Sequence, residues 1–145
     1  MEVIIRPLKK EDLNAILEID YAITGRLRRN YYERKFEEIF LPSKLSCSLV
    51  AESEGKVIGF LIGHVFEGEF GIPEDSGYID TLGIAPQYHK LGIGSRLLEQ
   101  FISNMKAFSI RKIYVMVDFS DLRLVKFFGS QGFYPSKRIS LELEL

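Results

Sequence analysis

A chain of 145 residues with 46% apolar and 27% charged side chains has room for one compact domain with a sizeable core, and this composition excludes disorder and fibrous repeats. Nineteen Lys and Arg against twenty Asp and Glu leave a formal charge of -1, too balanced for a protein whose main task is gripping a phosphate backbone. The longest apolar stretch, residues 57–63, falls far short of the ~20 residues that cross a bilayer, and Cys47 with two histidines provides neither a disulfide nor a ligand cluster for a metal, so a soluble, cytoplasmic, metal-free protein is expected.

Val3, Ile4 and Ile5 before Pro7 predict a short opening strand, because proline cannot donate to a ladder. Leu13, Ile16, Leu17 and Ile23 follow at helical spacing, with Glu11 and Asp12 at the positive end of the helix dipole. Tyr32, Phe36, Ile39 and Phe40 predict a second helix over about 30–41, closed by Pro42. Leu49, Val50 and Ala51, a turn at Glu54-Gly55, and residues 57–66 read as a β-hairpin, Gly55 supplying the positive φ of a tight turn. A turn-rich loop with Glu67, Glu69, Glu74 and Asp75 comes next, all of one charge.

Residues 78–85 read as a strand and residues 93–108 as a long helix with Leu97, Leu98, Phe101, Ile102 and Met105 on one face. A strand over 113–117 and a short helix over 122–130, ended by Gly132, follow. In the tail Ile139, Leu141, Leu143 and Leu145 alternate with Ser140, Glu142 and Glu144, the pattern of a half-buried strand. With no repeat, linker or low-complexity tract, the order predicts a single α/β or α+β domain over residues 1–145.

The most informative segment joins the fourth strand to the long helix: His89, Lys90, Leu91, Gly92, Ile93, Gly94 and Ser95. Glycines at 92 and 94 let the backbone turn tightly and bring bare N–H groups to a helix start. Those groups, with roughly half a positive charge from the dipole, form a cradle for phosphate, to which Lys90 and a protonated His89 add charge. No Gly-Lys-Ser/Thr follows, so a nucleoside-triphosphate loop does not fit, and Leu97 stands where a dinucleotide fingerprint has its third glycine. The bland alternative is a plain strand-to-helix turn.

Over nearly its whole length the chain resembles the GNAT superfamily of acetyl-CoA-dependent N-acetyltransferases. His89-Lys90-Leu91-Gly92-Ile93-Gly94 matches the family signature except that His89 replaces an Arg or Gln. Residues 78–86, Leu97-Leu98, Ile5-Arg6-Pro7 with Glu11-Asp12-Leu13, and Gln131-Gly132-Phe133 also resemble the family, in the same order. The resemblance implies a central mixed sheet with helices on both faces and splayed fourth and fifth strands, and acetyl-CoA between them. It places Leu82, Gly83 and Ile84 along the pantetheine arm and the pyrophosphate on the N–H groups of residues 89–95.

Acetylation needs a neutral amine, so a carboxylate or a water-linked base near the splay is expected. Asp80, in a strand otherwise made of Tyr78, Ile79, Leu82 and Ile84, is the first candidate, against a solvent-facing or capping role. Tyr78 is the second, since Tyr78-Ile79-x-Thr81-Leu82-Gly83 is similar to protein N-terminal acetyltransferases that use a tyrosine there, although the histidine that group carries on its fifth strand is Met116 here. Two positions that the resemblance sets against the cofactor are altered: Phe128 stands for the family tyrosine and Asp121 for an asparagine. A phenyl ring has no proton to give, which leaves unaided departure of the thiolate, a hydroxyl such as Tyr114 or Tyr134, or binding without turnover.

Cys47 and His64 read as packing residues rather than chemistry. Arg26, Arg28, Arg29, Arg34 and Lys35, interleaved with Tyr31 and Tyr32, form a basic cluster that fits a solvated helix face, an acidic acceptor or a nucleic acid, whereas the acidic loop suits a cationic amine. The reading is an acetyl-CoA-dependent enzyme moving acetyl directly to a primary amine, of a small molecule or of a protein N-terminus or lysine, because no covalent nucleophile is present. A non-catalytic acyl-CoA sensor or scaffold is the alternative, nucleic acid is disfavoured, and strands at the sheet end could pair across a homodimer.

Overall fold

The computed structural model describes residues 1–42, 45, 47–66 and 75–145, so Glu67, Glu69 and Glu74 of the acidic loop lie outside the described residues. In chain order the elements are β1 (Ile4–Pro7), α1 (Leu13–Thr24), α2 (Arg29–Ile39), β2 (Leu49–Ser53), β3 (Lys56–Val65), β4 (Ser76–Ile84), α3 (Ile93–Ala107), β5 (Lys112–Val115) and α4 (Leu122–Ser130). The strands form one mixed sheet in the order β1-β2-β3-β4-β5, antiparallel up to β4 and parallel between β4 and β5. That last pairing needs a crossover, which α3 supplies. This is the α+β arrangement expected from the sequence.

Local chemistry explains the elements. Ser53 pairs with Lys56 across Glu54 (φ 51°) and Gly55 (φ 75°), the two left-handed residues of a type I′ hairpin. At the entry to α1, both carboxylate oxygens of Asp12 accept from Arg6 at 2.9 Å and one accepts the Lys9 N–H at 2.8 Å. Gly25, at φ 73°, ends α1.

Helices cover both sheet faces. Ile16, Leu17 and Ile19 of α1 and Tyr32 and Phe36 of α2 pack with Val50, Phe60 and Ile62 in one buried cluster. On the other face Phe101 of α3 lies against Gly63 so closely that a Cβ there would stand 2.5 Å from the ring.

The chain divides into two compact units, Met1–Val115 and Met116–Leu145. Within the second, Asp121 caps α4 by accepting the Leu124 N–H at 3.2 Å, and the buried Phe128 ring meets Phe127 and Phe133 edge-on, with centroids 5.2 Å apart in each pair. The tail corrects an expectation: residues 133–145 form no strand, and Ile139, Leu141 and Leu143 are 82–85% exposed. Alternation fixes which side chains share a face but supplies no ladder, and the unit Met116–Leu145 contains no second strand to pair with.

Candidate active site

The site begins with a fault in the sheet. Going from Gly59↔Ile84 the β3–β4 register reaches Ile62↔Thr81 and then jumps to Gly63↔Ile79, which makes Asp80 the extra residue of a β-bulge. The parallel β4–β5 pairing runs from Ser76↔Lys112 to Ile79↔Val115 and stops there. From Asp80 through Ile84, β4 therefore has no strand on its β5 side among the described residues. Leu82, Gly83 and Ile84 lie on this open edge, whose backbone groups can pair with an extended ligand.

Beyond β4 a 3-10 turn (Pro86–Tyr88) leads to the glycine segment. The His89 ring turns back and donates from Nε2 to the Ile84 carbonyl at 2.9 Å, tying the loop to the end of β4. Lys90 (φ 63°) and Gly92 (φ 76°) are both left-handed, and Gly92 is the N-cap of α3. Among the described residues no side chain caps this helix start, and a Cβ on Gly92 would meet nothing within 4 Å. A helix start without a side-chain cap, with space beside its N-cap glycine, suits an anion. Gly94 lies inside the first turn of α3, beside Ile93 and Ser95.

Asp80 is neither solvent-facing nor a cap. Its side chain is 16% exposed, and Oδ2 lies 3.1 Å from Lys35 Nζ and accepts from the Tyr31 hydroxyl at 3.4 Å. Burial alone would lower the pKa of Lys35, but the bond to Asp80 and its charge outweigh burial and hold the ammonium above its ordinary value. Burial first, and the Asp80 charge second, push the phenols of Tyr31 and Tyr78 up. Tyr78 also packs against aromatic rings, with centroids 4.9 Å from His64 and 5.5 Å from Phe66, and Phe66 meets Tyr114 at 6.2 Å.

α2 is pinned in turn by Asp20, a buried carboxylate on α1 that accepts from Arg28 Nε at 2.9 Å and from the Tyr32 hydroxyl at 3.1 Å. Arg28 stacks over Tyr31 at 5.2 Å. The basic cluster is thereby reduced: Arg28 faces Asp20, Lys35 faces Asp80 and Arg29 faces Glu33. Cys47 is buried with Sγ 2.9 Å from the Gly63 carbonyl, and burial pushes its thiol up to about 12, which removes it as a nucleophile.

Comparison with known proteins decides the family. The acetyltransferase (GNAT) family model matches residues 12–133. The chain belongs to the GNAT acetyltransferase family. Its activity class is N-acetyl transfer, and the donor of that family is acetyl-CoA. An N-alpha-acetyltransferase of Sulfurisphaera tokodaii is 25% identical over 139 residues, covering 92% of this chain and 81% of the relative. In fold, the chain is similar to the aminoglycoside N-acetyltransferase AAC(6')-Iy, solved with a bisubstrate analogue of CoA and acetylneamine, at TM-score 0.81 and 16% identity over 100% of this chain and 99% of that one. It is also similar to the ribosomal-protein-S18-alanine N-acetyltransferase of Escherichia coli, at TM-score 0.77 and 20% identity over 94% and 80% of the two chains.

Within this GNAT chain, sequence reasoning singled out Asp80, Tyr78 and the 89–95 segment but did not join Tyr31 and Lys35 to Asp80, whose carboxylate both of them contact. Their i, i+4 spacing on α2 was the available signal, since it puts a hydroxyl and an ammonium on one helix face where a carboxylate can meet both. Asp121 and Phe128 lie in the Met116–Leu145 unit, one as a helix cap and the other between aromatic rings.

Proposed function

We propose that this GNAT enzyme holds acetyl-CoA along the open edge of β4 and acetylates a primary amine, of a small molecule or a peptide, beside Asp80. The observation that carries the reading is the end of β4–β5 pairing at Ile79↔Val115, immediately before the bulged Asp80. Bound acetyl-CoA would supply the acetyl group as a thioester. Leu82, Gly83 and Ile84 offer backbone groups to its extended arm, and the amides of residues 89–95 with Lys90 offer a seat for its pyrophosphate. His89, whose ring is already bonded to Ile84, stabilises the turn, and the backbone provides the anion contacts.

Asp80 then takes the proton of the incoming ammonium on a carboxylate oxygen, and Lys35 prepares it in two ways. It holds the carboxylate in place through the 3.1 Å ion pair, and as a neighbouring cation it lowers the pKa of the acceptor amine. Tyr78, with its phenol pushed up, keeps its proton at neutral pH and acts as a hydrogen-bond donor rather than a base. Phe128 has no proton to offer, so in this scheme the CoA thiolate, a fair leaving group with a thiol pKa of about 8.5, departs unaided as the amine nitrogen takes the acetyl group and picks up its proton from solvent.

Thiol release from acetyl-CoA, measured with aminoglycosides, free N-terminal peptides and lysine peptides, tests the reading. Asp80→Asn should lower kcat/KM about 100-fold at neutral pH for whichever amine turns over, and recover at alkaline pH as the amine loses its own proton. Unchanged kcat/KM, or an equal loss at every pH, would remove Asp80 as the base.

A further inference from the structure

Among the charged groups that the reaction does not use, Asp20 stands out. It lies on α1 with its side chain 5% exposed, and it accepts from Arg28 Nε at 2.9 Å, from Arg28 Nη2, and from the Tyr32 hydroxyl at 3.1 Å. Its partner gains nothing for its own helix. Arg28 is the N-cap of α2, and with Arg29 behind it and no acidic residue in the first turn it sets positive charge against the positive end of the helix dipole. A carboxylate this deeply buried is also a weak source of stability, because its ion pair does little more than offset the loss of its hydration. A pair that breaks local rules without a local gain points to a role elsewhere.

That role can be followed along one face of α2. Arg28, Tyr31, Tyr32 and Lys35 are spaced i, i+3, i+4 and i+7, one stripe of the helix. Arg28 Cζ lies 5.2 Å from the Tyr31 ring centroid and 5.5 Å from that of Tyr32, and the two rings meet edge-on with centroids 5.0 Å apart. Lys35 Nζ lies 5.6 Å from the same Tyr31 centroid, so two cations share one ring. At the far end of the stripe Lys35 Nζ and the Tyr31 hydroxyl fall on the same oxygen of Asp80, Oδ2, at 3.1 and 3.4 Å. The stripe therefore runs from a buried carboxylate on α1 to the carboxylate on β4, wholly within the unit Met1–Val115.

We infer that Asp20 is a positioning residue: by fixing Arg28 against the Tyr31 ring it holds α2 in the rotation that sets Lys35 and the Tyr31 hydroxyl on Asp80. The inference rests on the reading of Asp80 as the base, and extends it to a residue on α1 that touches no substrate. Arginine suits the task because its planar fork meets Asp20 through two nitrogens while its flat face lies over aromatic rings, where lysine would supply charge alone.

Replacing the pair by apolar side chains separates position from stability, since a buried ion pair can be exchanged in this way at little cost to folding. Asp20→Leu with Arg28→Met should melt close to the wild type. Nuclear magnetic resonance of the chain carrying isotopically labelled lysine, without acetyl-CoA or acceptor, then reads Lys35, whose signals are assigned by their loss in Lys35→Met. Its two ε-protons should be resolved in the wild type, where the ammonium is held, and merged in the double variant, where it turns freely. In steady-state assays kcat should fall about tenfold in the double variant while KM for acetyl-CoA stays unchanged. With Tyr31→Leu in place, removing the pair should cost nothing further, because the path from Arg28 to Lys35 is already cut. Arg28→Lys, which keeps the charge beside Asp20 without the fork, should also merge the Lys35 signals, and it carries the test if the double variant melts early. Lys35 ε-protons that are merged in the wild type, protons that stay resolved in the folded variants, or a loss of kcat that adds to that of Tyr31→Leu would each overturn the inference. The lysine spectrum needs no turnover, so it decides the positioning even where Asp80→Asn leaves kcat/KM unchanged and removes Asp80 as the base.

Discussion

At the scale of the residue, the Asp80–Lys35 pair governs how an acceptor is received. Lys35 Nζ, 3.1 Å from the carboxylate, occupies the position that an incoming ammonium would favour, so a cationic acceptor has to compete with it. Removing that cation has two opposed effects. Lys35→Met should lower KM for a cationic amine roughly fivefold, the size of a partly exposed charge interaction. It should also move the rising limb of kcat to higher pH, because the bound acceptor amine no longer sits beside a positive charge and holds its proton longer. Steady-state kinetics across pH separate these effects, and a Lys35→Met enzyme with unchanged KM and an unshifted limb would mean that Lys35 only supports the fold. Lys35→Arg, which keeps the charge, should leave the limb where it is.

At the scale of the element, α1 and the start of the sheet are joined by charged groups whose effect on stability follows pH. Burial raises the Asp12 carboxyl, but the two bonds from Arg6, the Lys9 N–H and the Arg6 charge outweigh it and leave the group below its ordinary value. A carboxyl lowered in the folded state contributes stability that is full above its unfolded pKa of about 4 and is lost as pH falls through the folded value. Asp12→Asn should therefore cost about 2 kcal/mol at neutral pH, as for a hydrogen bond to a charged group, and less and less on acidification from about pH 5. Urea unfolding of both proteins across that range measures the difference, and a constant gap would show that the charge of Asp12 does not matter.

Elements like these were largely legible in the sequence, because α1, α2 and α3 repeat apolar side chains at helical spacing and Glu54-Gly55 encodes its own turn. The bulge at Asp80 was not, since it is a property of register between two strands rather than of either alone. Nor was the bond between Tyr31 and Asp80, which joins residues 49 apart through the packing of a helix on a sheet. The tail shows the converse: its alternation was correctly seen, but a strand is a relation with a neighbour, and the pattern names no neighbour.

At the scale of the whole molecule, a mixed sheet opens where its parallel pair ends, and an uncapped helix start lies beyond the open strand. Both follow from chain order: the crossover through α3 makes β4–β5 parallel, and the glycine segment must turn sharply to enter that crossover. The central claim is that acetyl-CoA lies on this edge and this helix start. Calorimetric titration with acetyl-CoA of the wild-type chain, Gly92→Ala and Gly92→Glu tests it most directly, with melting curves confirming that each variant is folded. The left-handed φ of 76° strains any side chain at this position, so Gly92→Ala measures strain alone and should bind more weakly but measurably. Gly92→Glu adds a negative charge where the pyrophosphate would rest and should abolish the one-site, micromolar binding expected of the wild type. Absence of binding by the folded wild-type chain, or equal affinity in all three proteins, would contradict the placement of acetyl-CoA on β4 and the start of α3.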